Sequence, residues 1–273
     1  MKLRAAALAL GVVAVAALAA RAQESVAPSP APSAAVAAYD PAALPSGPVG
    51  EAIRLGREIV MNTPQTMPGY VRSNMSCSAC HIEGGTKVRG GSFLGTYARF
   101  PQWNKRAKRV ITLQDRLAEC FLYSMNGRPP AYASKEMIGL VAYIAWLSRG
   151  VPTLSTPSPQ DRFIEPLPPA PPDVRHGAKL YAQHCALCHQ PSGAGVTGVF
   201  PPLWGPSSFN DLAGMAHLDR MTGFVHYNMP QGAPGSLTLR EAYDVAAFVL
   251  SHPRPKFDPA ALVQSSPLPA GFF

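Results

Sequence analysis

Charge is scarce in this chain of 273 residues: only 15% are Asp, Glu, Lys or Arg, while 47% are hydrophobic. That balance excludes the highly charged, apolar-poor composition of a disordered protein and leaves enough apolar surface for a packed core. Acidic residues are the scarcer sign, 16 against 24 basic, and the net charge of +8 biases the protein towards anions without naming one. After Ala20 there is no apolar run long enough to cross a bilayer. Cysteine is sparse and odd in number, five in all, which excludes a fully paired disulfide framework. Against these shortages stand 30 Pro and 23 Gly, well above ordinary usage, which predicts long connecting segments between compact pieces.

The punctuation of the chain follows from its composition. Met1-Lys2-Leu3-Arg4 gives a positive start, Ala5 to Ala20 is uncharged, and Ala20-Arg21-Ala22 offers a small-residue cleavage site, so residues 1–22 read as a secretory signal peptide. The run is too short and Ala-rich for a span, which needs about 20 apolar residues. The expected address is periplasmic, with a mature chain that does not span the membrane. Residues 23–47 read as a disordered or wrapping lead-in and 48–150 as a first domain. Residues 151–172 carry eight prolines and form a linker in which helix is impossible through most of the stretch; 173–256 are a second domain and 257–273 a tail.

Four of the five cysteines fall into Cys77-Ser78-Ala79-Cys80-His81 and Cys185-Ala186-Leu187-Cys188-His189. Both are C-x-x-C-H, the spacing that attaches c-type haem: the thiols of Cys77, Cys80, Cys185 and Cys188 bond porphyrin vinyl groups, and His81 and His189 reach the irons. A redox C-x-x-C has no need of the histidine in both places. Two covalently bound haem c groups are expected. Cys120 is left over, as a buried inert thiol, one paired to another chain, or a metal-bound one.

The surroundings of the two sites repeat. Helix-like Gly50 to Asn62 precedes the first and Val174 to His184 the second, and each site is followed by a Gly-rich loop reaching Phe-Pro, at Phe100-Pro101 and Phe200-Pro201. Each half closes with an amphipathic helix, about Lys135 to Ser148 in the first. In the second, Thr238-Leu239-Arg240-Glu241 forms a capping box ahead of Ala242, Val245, Ala246 and Val249. Each half is small for an ordinary core but adequate around a covalently held haem. The organisation resembles two tandem class I cytochrome c domains, and the expected fold is all-α.

The sixth iron ligand decides between electron transfer and chemistry. Met229 in Asn228-Met229-Pro230 has the spacing for a methionine ligand to the second iron; Met215, Met221, His217 and His226 fit less well. In the first half Met125 occupies the equivalent place and competes with Cys120, whose thiolate is the stronger donor; spacing leaves both open. Charge also separates the halves: residues 48–150 hold 14 basic and 6 acidic residues, residues 173–256 only 6 and 5. Lys105-Arg106-Ala107-Lys108-Arg109, Arg99 and Arg116 flank Cys120, and a helix over Leu113 to Ser124 would stack Arg116, Cys120 and Ser124 on one face. Lys105 and Lys108 read equally well as a solvated face. No aromatic platform accompanies the cluster, so nucleic acid is not an expected partner. Arginine beside a metal-bound sulfur suits a small sulfur oxyanion, whose paired oxygens its planar fork matches.

Arg116-Leu117-x-x-Cys120-Phe121-x-Tyr123-Ser124-Met125-Asn126-Gly127 resembles the segment carrying the cysteine haem ligand in dihaem thiosulfate dehydrogenases. Phe200-Pro201-Pro202-Leu203-Trp204-Gly205, Asn228-Met229-Pro230 and Glu241-Ala242-Tyr243-Asp244-Val245-Ala246 resemble the second domain of the same family. The resemblance implies a catalytic haem ligated by His81 and Cys120, a transfer haem ligated by His189 and Met229, and a substrate pocket lined by Arg106, Arg116 and Ser124. It implies oxidation of thiosulfate to tetrathionate, reversible in some members, with a c-type cytochrome or another periplasmic acceptor as partner. Some relatives carry a lysine beside the methionine that exchanges as ligand; Asn228 in that place predicts no such exchange. Two other functions fit the haem sites: a dihaem electron carrier with no substrate chemistry, and a subunit of a complex that conjugates thiosulfate to a carrier protein.

Overall fold

The computed structural model describes residues 39–154 and 163–259. The expected signal peptide, most of the lead-in, part of the linker and nearly all of the tail lie outside the described residues.

Each half is built on one pair of crossing helices. In the first, α1 (Pro48–Met61) meets α5 (Lys135–Trp146), burying Ile53, Ile59 and Val60 against Met137, Leu140 and Tyr143. The backbones touch where they cross: a Cβ on Gly56 would stand 1.9 Å from the Gly139 carbonyl oxygen. In the second half α6 (Val174–His184) crosses α9 (Leu239–Leu250) in the same manner, and a Cβ on Gly177 would stand 2.0 Å from the Asp244 oxygen. The repeat seen in the sequence is thus a repeat of helix packing. Capping fixes where these helices start: Ser134 accepts from Met137 N–H, Asp173 from Arg175 and His176 N–H, and Thr238 with Glu241 forms the expected reciprocal box.

Shorter elements lie between the pairs. The first half adds α2 (Thr63–Thr66), α3 (Ile82–Gly85) and a two-stranded antiparallel ribbon of β1 (Gln102–Asn104) and β2 (Arg109–Ile111). It then adds α4 (Leu113–Glu119), and the second half adds α7 (Ala186–His189) and α8 (Leu218–Asn228). Among the described residues the ribbon is the only sheet, so the architecture is all-α as expected. No helix among them is long and apolar enough to cross a membrane.

The expected helix over Leu113 to Ser124 is only partly α-helical. It stops at Glu119 and continues as a π-helical turn, Cys120–Ser124, in which Met125 N–H donates to the Cys120 carbonyl at 3.0 Å. A π turn holds an extra residue, so the straight face predicted for Arg116, Cys120 and Ser124 does not run through to Ser124. The widened turn bridges two cores. Phe121 enters the first-half core, while Leu122 and Tyr123 enter a second core together with Met75, Ala118 and Met125.

That second core belongs to both halves, since Leu180, Trp204, Phe209, Met221, Val225 and Val249 complete it. Polar bonds reinforce the junction. Asn74 N–H donates to Ser207 O (3.0 Å), Asn210 N–H to Tyr123 O (3.1 Å), and the buried Asn210 side chain to Leu122 O (2.9 Å). Chain flanking the two halves is pinned to them: Tyr39 packs edge-on to Tyr143, Phe163 packs against Phe224, and Phe257 packs against Tyr123.

Candidate active site

Each C-x-x-C-H segment forms a single tight turn. His81 N–H donates to Cys77 O and His189 N–H to Cys185 O, both at 2.9 Å, which gathers two thiols and an imidazole. The rings are aimed in the same way: Nδ1 of His81 meets Gly91 O at 2.5 Å and Nδ1 of His189 meets Pro201 O at 2.9 Å, leaving each Nε2 for a metal. Phe93 stacks on His81 with centroids 4.2 Å apart, and Gly85 (φ +86°) makes room for that ring, since a Cβ there would stand 2.2 Å from it. Burial pulls the His81 imidazole down to about 4; the bond to Gly91 opposes this and the Arg116 charge adds to it. Burial lowers His189 as well. Neutral imidazole is the form that ligates metal.

The four cysteines are half-buried, and their thiols are free. Burial first, then neighbouring thiols, push Cys80 up to about 12 and Cys185 to about 11; Cys77 also rises to about 11, mainly through burial. Thr63 packs beneath the first turn, where its Oγ1 accepts from Cys77 N–H (3.0 Å) and lies 3.3 Å from Cys77 Sγ. Two thiols beside a histidine whose Nδ1 is held by a backbone carbonyl, an arrangement common to both halves, fit the covalent attachment of haem c.

Cys120 lies one turn beyond Arg116, its N–H donating to Arg116 O; it is coupled electrostatically to Cys77 and Cys80 and is the main cause raising the Arg116 pKa. Arg116 Nη1 bonds Glu119 Oε2 at 3.2 Å, and the other oxygen of this buried carboxylate accepts from Asn104 Nδ2 at 3.0 Å. Asn104 Oδ1 in turn accepts from Arg106 and Ala107 N–H, shaping the ribbon turn. The guanidinium of Arg106 then lies over the Tyr123 ring, 4.7 Å from its centroid. Cys77, Cys80, His81, Arg116 and Cys120 are thus electrostatic neighbours, while Arg106 stays exposed on the ribbon turn over Tyr123 and half-buried Ser124 ends the π turn.

Other cations of the basic run do not join them. Arg109 is paired to Asp115 at 3.1 Å, and Lys105 and Lys108 are exposed, as a solvated face requires. Asp115 caps α4 with Thr112 and also accepts from the Tyr132 hydroxyl. Met125, the competing donor, is buried in the shared core, and its carbonyl accepts from Arg72 and Ser73 N–H. Sequence reasoning missed Glu119 and Asn104. The position of Glu119 beside Cys120 was a readable signal, whereas the ribbon that brings Asn104 to it was not.

In the second half, Met229 directly follows α8 in extended conformation and packs, half-buried, against the shared core. Of its rivals, Met221 is buried in that core, His226 is bonded through Nδ1 to Leu237 O, and His217 is exposed at the start of α8.

Two helical halves, each with a C-x-x-C-H turn whose histidine is aimed by a backbone carbonyl, define a dihaem c-type cytochrome. Family models agree: a SoxA/TsdA cytochrome c domain matches residues 70–153, and a cbb3-type cytochrome c oxidase subunit III model matches residues 172–249. Thiosulfate dehydrogenase of Allochromatium vinosum is 42% identical over 233 residues, covering 81% of this chain and 86% of the relative. That of Thiomonas intermedia is 37% identical over 219 residues, covering 79% and 70%. The solved thiosulfate dehydrogenase (TsdBA) of Marichromatium purpuratum superposes with a TM-score of 0.75 at 35% identity, over 84% of this chain; the chain spans about half of that protein's length, 53%. The chain belongs to the thiosulfate dehydrogenase family, and two haem c groups are its cofactors.

Proposed function

We propose that the protein is an exported, periplasmic thiosulfate dehydrogenase that joins two thiosulfates into tetrathionate, 2 S2O3(2−) → S4O6(2−) + 2 e−, and delivers the electrons to a c-type cytochrome or similar acceptor. The reverse reaction, tetrathionate reduction, uses the same site. Cys77 and Cys80 hold the first haem, with His81 and Cys120 as iron ligands; Cys185 and Cys188 hold the second, with His189 and Met229. Haem at each site supplies a one-electron acceptor. The observation that carries the reading is the coupling of Cys120 to the thiols of the first C-x-x-C-H turn, with Arg116 one helical turn away.

The chain's own residues do the rest. Arg106 and Arg116 offset the repulsion between two dianions, which in water alone stay apart, and Ser124 offers a hydroxyl to the same pocket. Cys120 sulfur bonds the outer sulfur of one thiosulfate, Cys–S− + S2O3(2−) → Cys–S–S–SO3− + 2 e−. A second thiosulfate then takes that group off as S4O6(2−) and restores the thiolate. The test is turnover of the holoprotein with thiosulfate and an oxidised c-type cytochrome. One tetrathionate per pair of thiosulfates is expected, and none from a Cys120→Ala protein that retains both haems. Full tetrathionate formation by that variant overturns the covalent role, and a wild-type holoprotein that thiosulfate does not reduce overturns the function.

A further inference from the structure

The loop that orients His81 and the segment that presents Met229 belong to different halves, yet one side chain ties them together. Asn228 is the last residue of α8 and is fully buried. Its Nδ2 donates to Arg89 O at 2.9 Å and to Phe224 O at 3.1 Å, so both amide protons are used, one across the boundary between halves and one within its own helix. Arg89 sits in the loop between His81 and Gly91, where Ile82 N–H closes on Gly90 O at 2.8 Å and Gly91 O receives His81 Nδ1. Arg89 adopts a left-handed φ of +60°, which is unusual for a residue with a side chain, and it turns its carbonyl to Asn228. Its guanidinium lies 4.2 Å from the ring centroid of Tyr227, whose hydroxyl donates to Glu165.

We propose that Asn228 is a positioning residue that locks the Met229 segment to the His81 loop, so that the thioether is held on the second iron and the two haem sites move as one. This rests on Met229 being the second iron's ligand. The physical reason is local. Met229 follows the helix directly with extended backbone, its own N–H closing on Val225 O at 2.9 Å, and Pro230, next in the chain, has no N–H to donate, so it is the bond from Asn228 that ties this end of α8, and the thioether leaving it, to the other half. Without it the part-buried Arg89 carbonyl loses that donor, and the Met229 segment loses its hydrogen bond to the His81 loop.

The test is Asn228→Ala in the holoprotein, with Asn228→Ser read in the same way should the alanine variant fail to take up haem. The first readout is the weak red absorption band of methionine-ligated ferric haem; the second is the rate at which added imidazole replaces methionine on the second iron. Imidazole is expected to bind about tenfold faster, equivalent to ~1.4 kcal/mol, with a diminished red band and an unchanged electron paramagnetic resonance signal from the first haem. Arg89→Gly, which keeps the carbonyl and suits the left-handed φ, is expected to leave both readouts as in wild type. A red band and imidazole rate identical to wild type in the Asn228 variant overturn the positioning role. A wild-type protein that lacks the red band overturns the Met229 assignment instead, which separates the two failures. Equal weakening of both haem signals would mark a general structural role and also overturn the proposal.

Discussion

Glu119 is the residue whose importance the primary structure conceals. A carboxylate beside an anion-binding sulfur looks like a liability. Here it is buried and bonded to Arg116 and Asn104, so it sets where two cationic segments meet. Replacing it with Ala frees both partners and leaves their positions to solvent. Because hydrogen bonds to charged groups contribute roughly 1.5–3 kcal/mol, Glu119→Ala is expected to lower kcat/KM for thiosulfate by at least about tenfold, with haem content intact. Steady-state kinetics with thiosulfate check this, and an unchanged kcat/KM would remove Glu119 from the site. Arg116→Ala is expected to weaken turnover without disturbing the visible spectrum; an unaltered rate would show that Arg116 does not meet the substrate. At this scale the haem-attachment residues were plain in the sequence, because covalent chemistry dictates their spacing. The hydrogen bonds that aim His81 and His189 were not, because their acceptors, Gly91 and Pro201, are backbone carbonyls brought back by loops.

Elements with an intrinsic period were legible, and those imposed by tertiary packing were not. The helices α1, α5, α6 and α9 begin and end within about two residues of where capping residues and apolar spacing place them. The π turn and the ribbon have no comparable signature. The first exists because three consecutive bulky residues must enter two different cores; the second is three residues long on each side and is anchored at the Arg109–Asp115 pair. That anchor has a pH consequence. Burial alone would raise the Asp115 pKa, but hydrogen bonds from Arg109, Tyr132 and Thr112 outweigh it and hold the carboxyl below its usual range. Its stabilisation is therefore complete above the unfolded-state value of about 4 and is lost as pH falls through the lower folded value. Asp115→Asn is expected to cost roughly 2 kcal/mol at neutral pH and to flatten the acid limb of the stability profile. Thermal unfolding followed from neutral to acid pH measures both. A variant with the wild-type acid limb would show that Asp115 does not carry this dependence.

At the scale of the whole molecule, the two halves read as beads on a proline-rich string, yet they share a core. Met75, Leu122, Tyr123 and Met125 from the first pack with Trp204, Phe209 and Val225 from the second. A shared core predicts one cooperative unfolding transition for the holoprotein by calorimetry, and two separable transitions would contradict it. Asn210→Ala removes the amide donor that the buried Leu122 carbonyl depends on and is expected to lower the midpoint of that single transition. The sharing was hidden because the residues that form it lie on helices already accounted for by their own half. Function follows from the same arrangement: the turn bearing Cys120 is one of the parts of the first half that pack against the second, so the proposed site of chemistry lies beside the junction between the halves.

Electron paramagnetic resonance of the fully oxidised holoprotein reads the ligand field at each iron separately. The account predicts two unlike low-spin ferric signals, one with the compressed anisotropy of histidine–thiolate ligation that disappears in Cys120→Ala, and one of histidine–methionine type that survives it. Two matching histidine–methionine signals, unaffected by the Cys120 substitution, would contradict it.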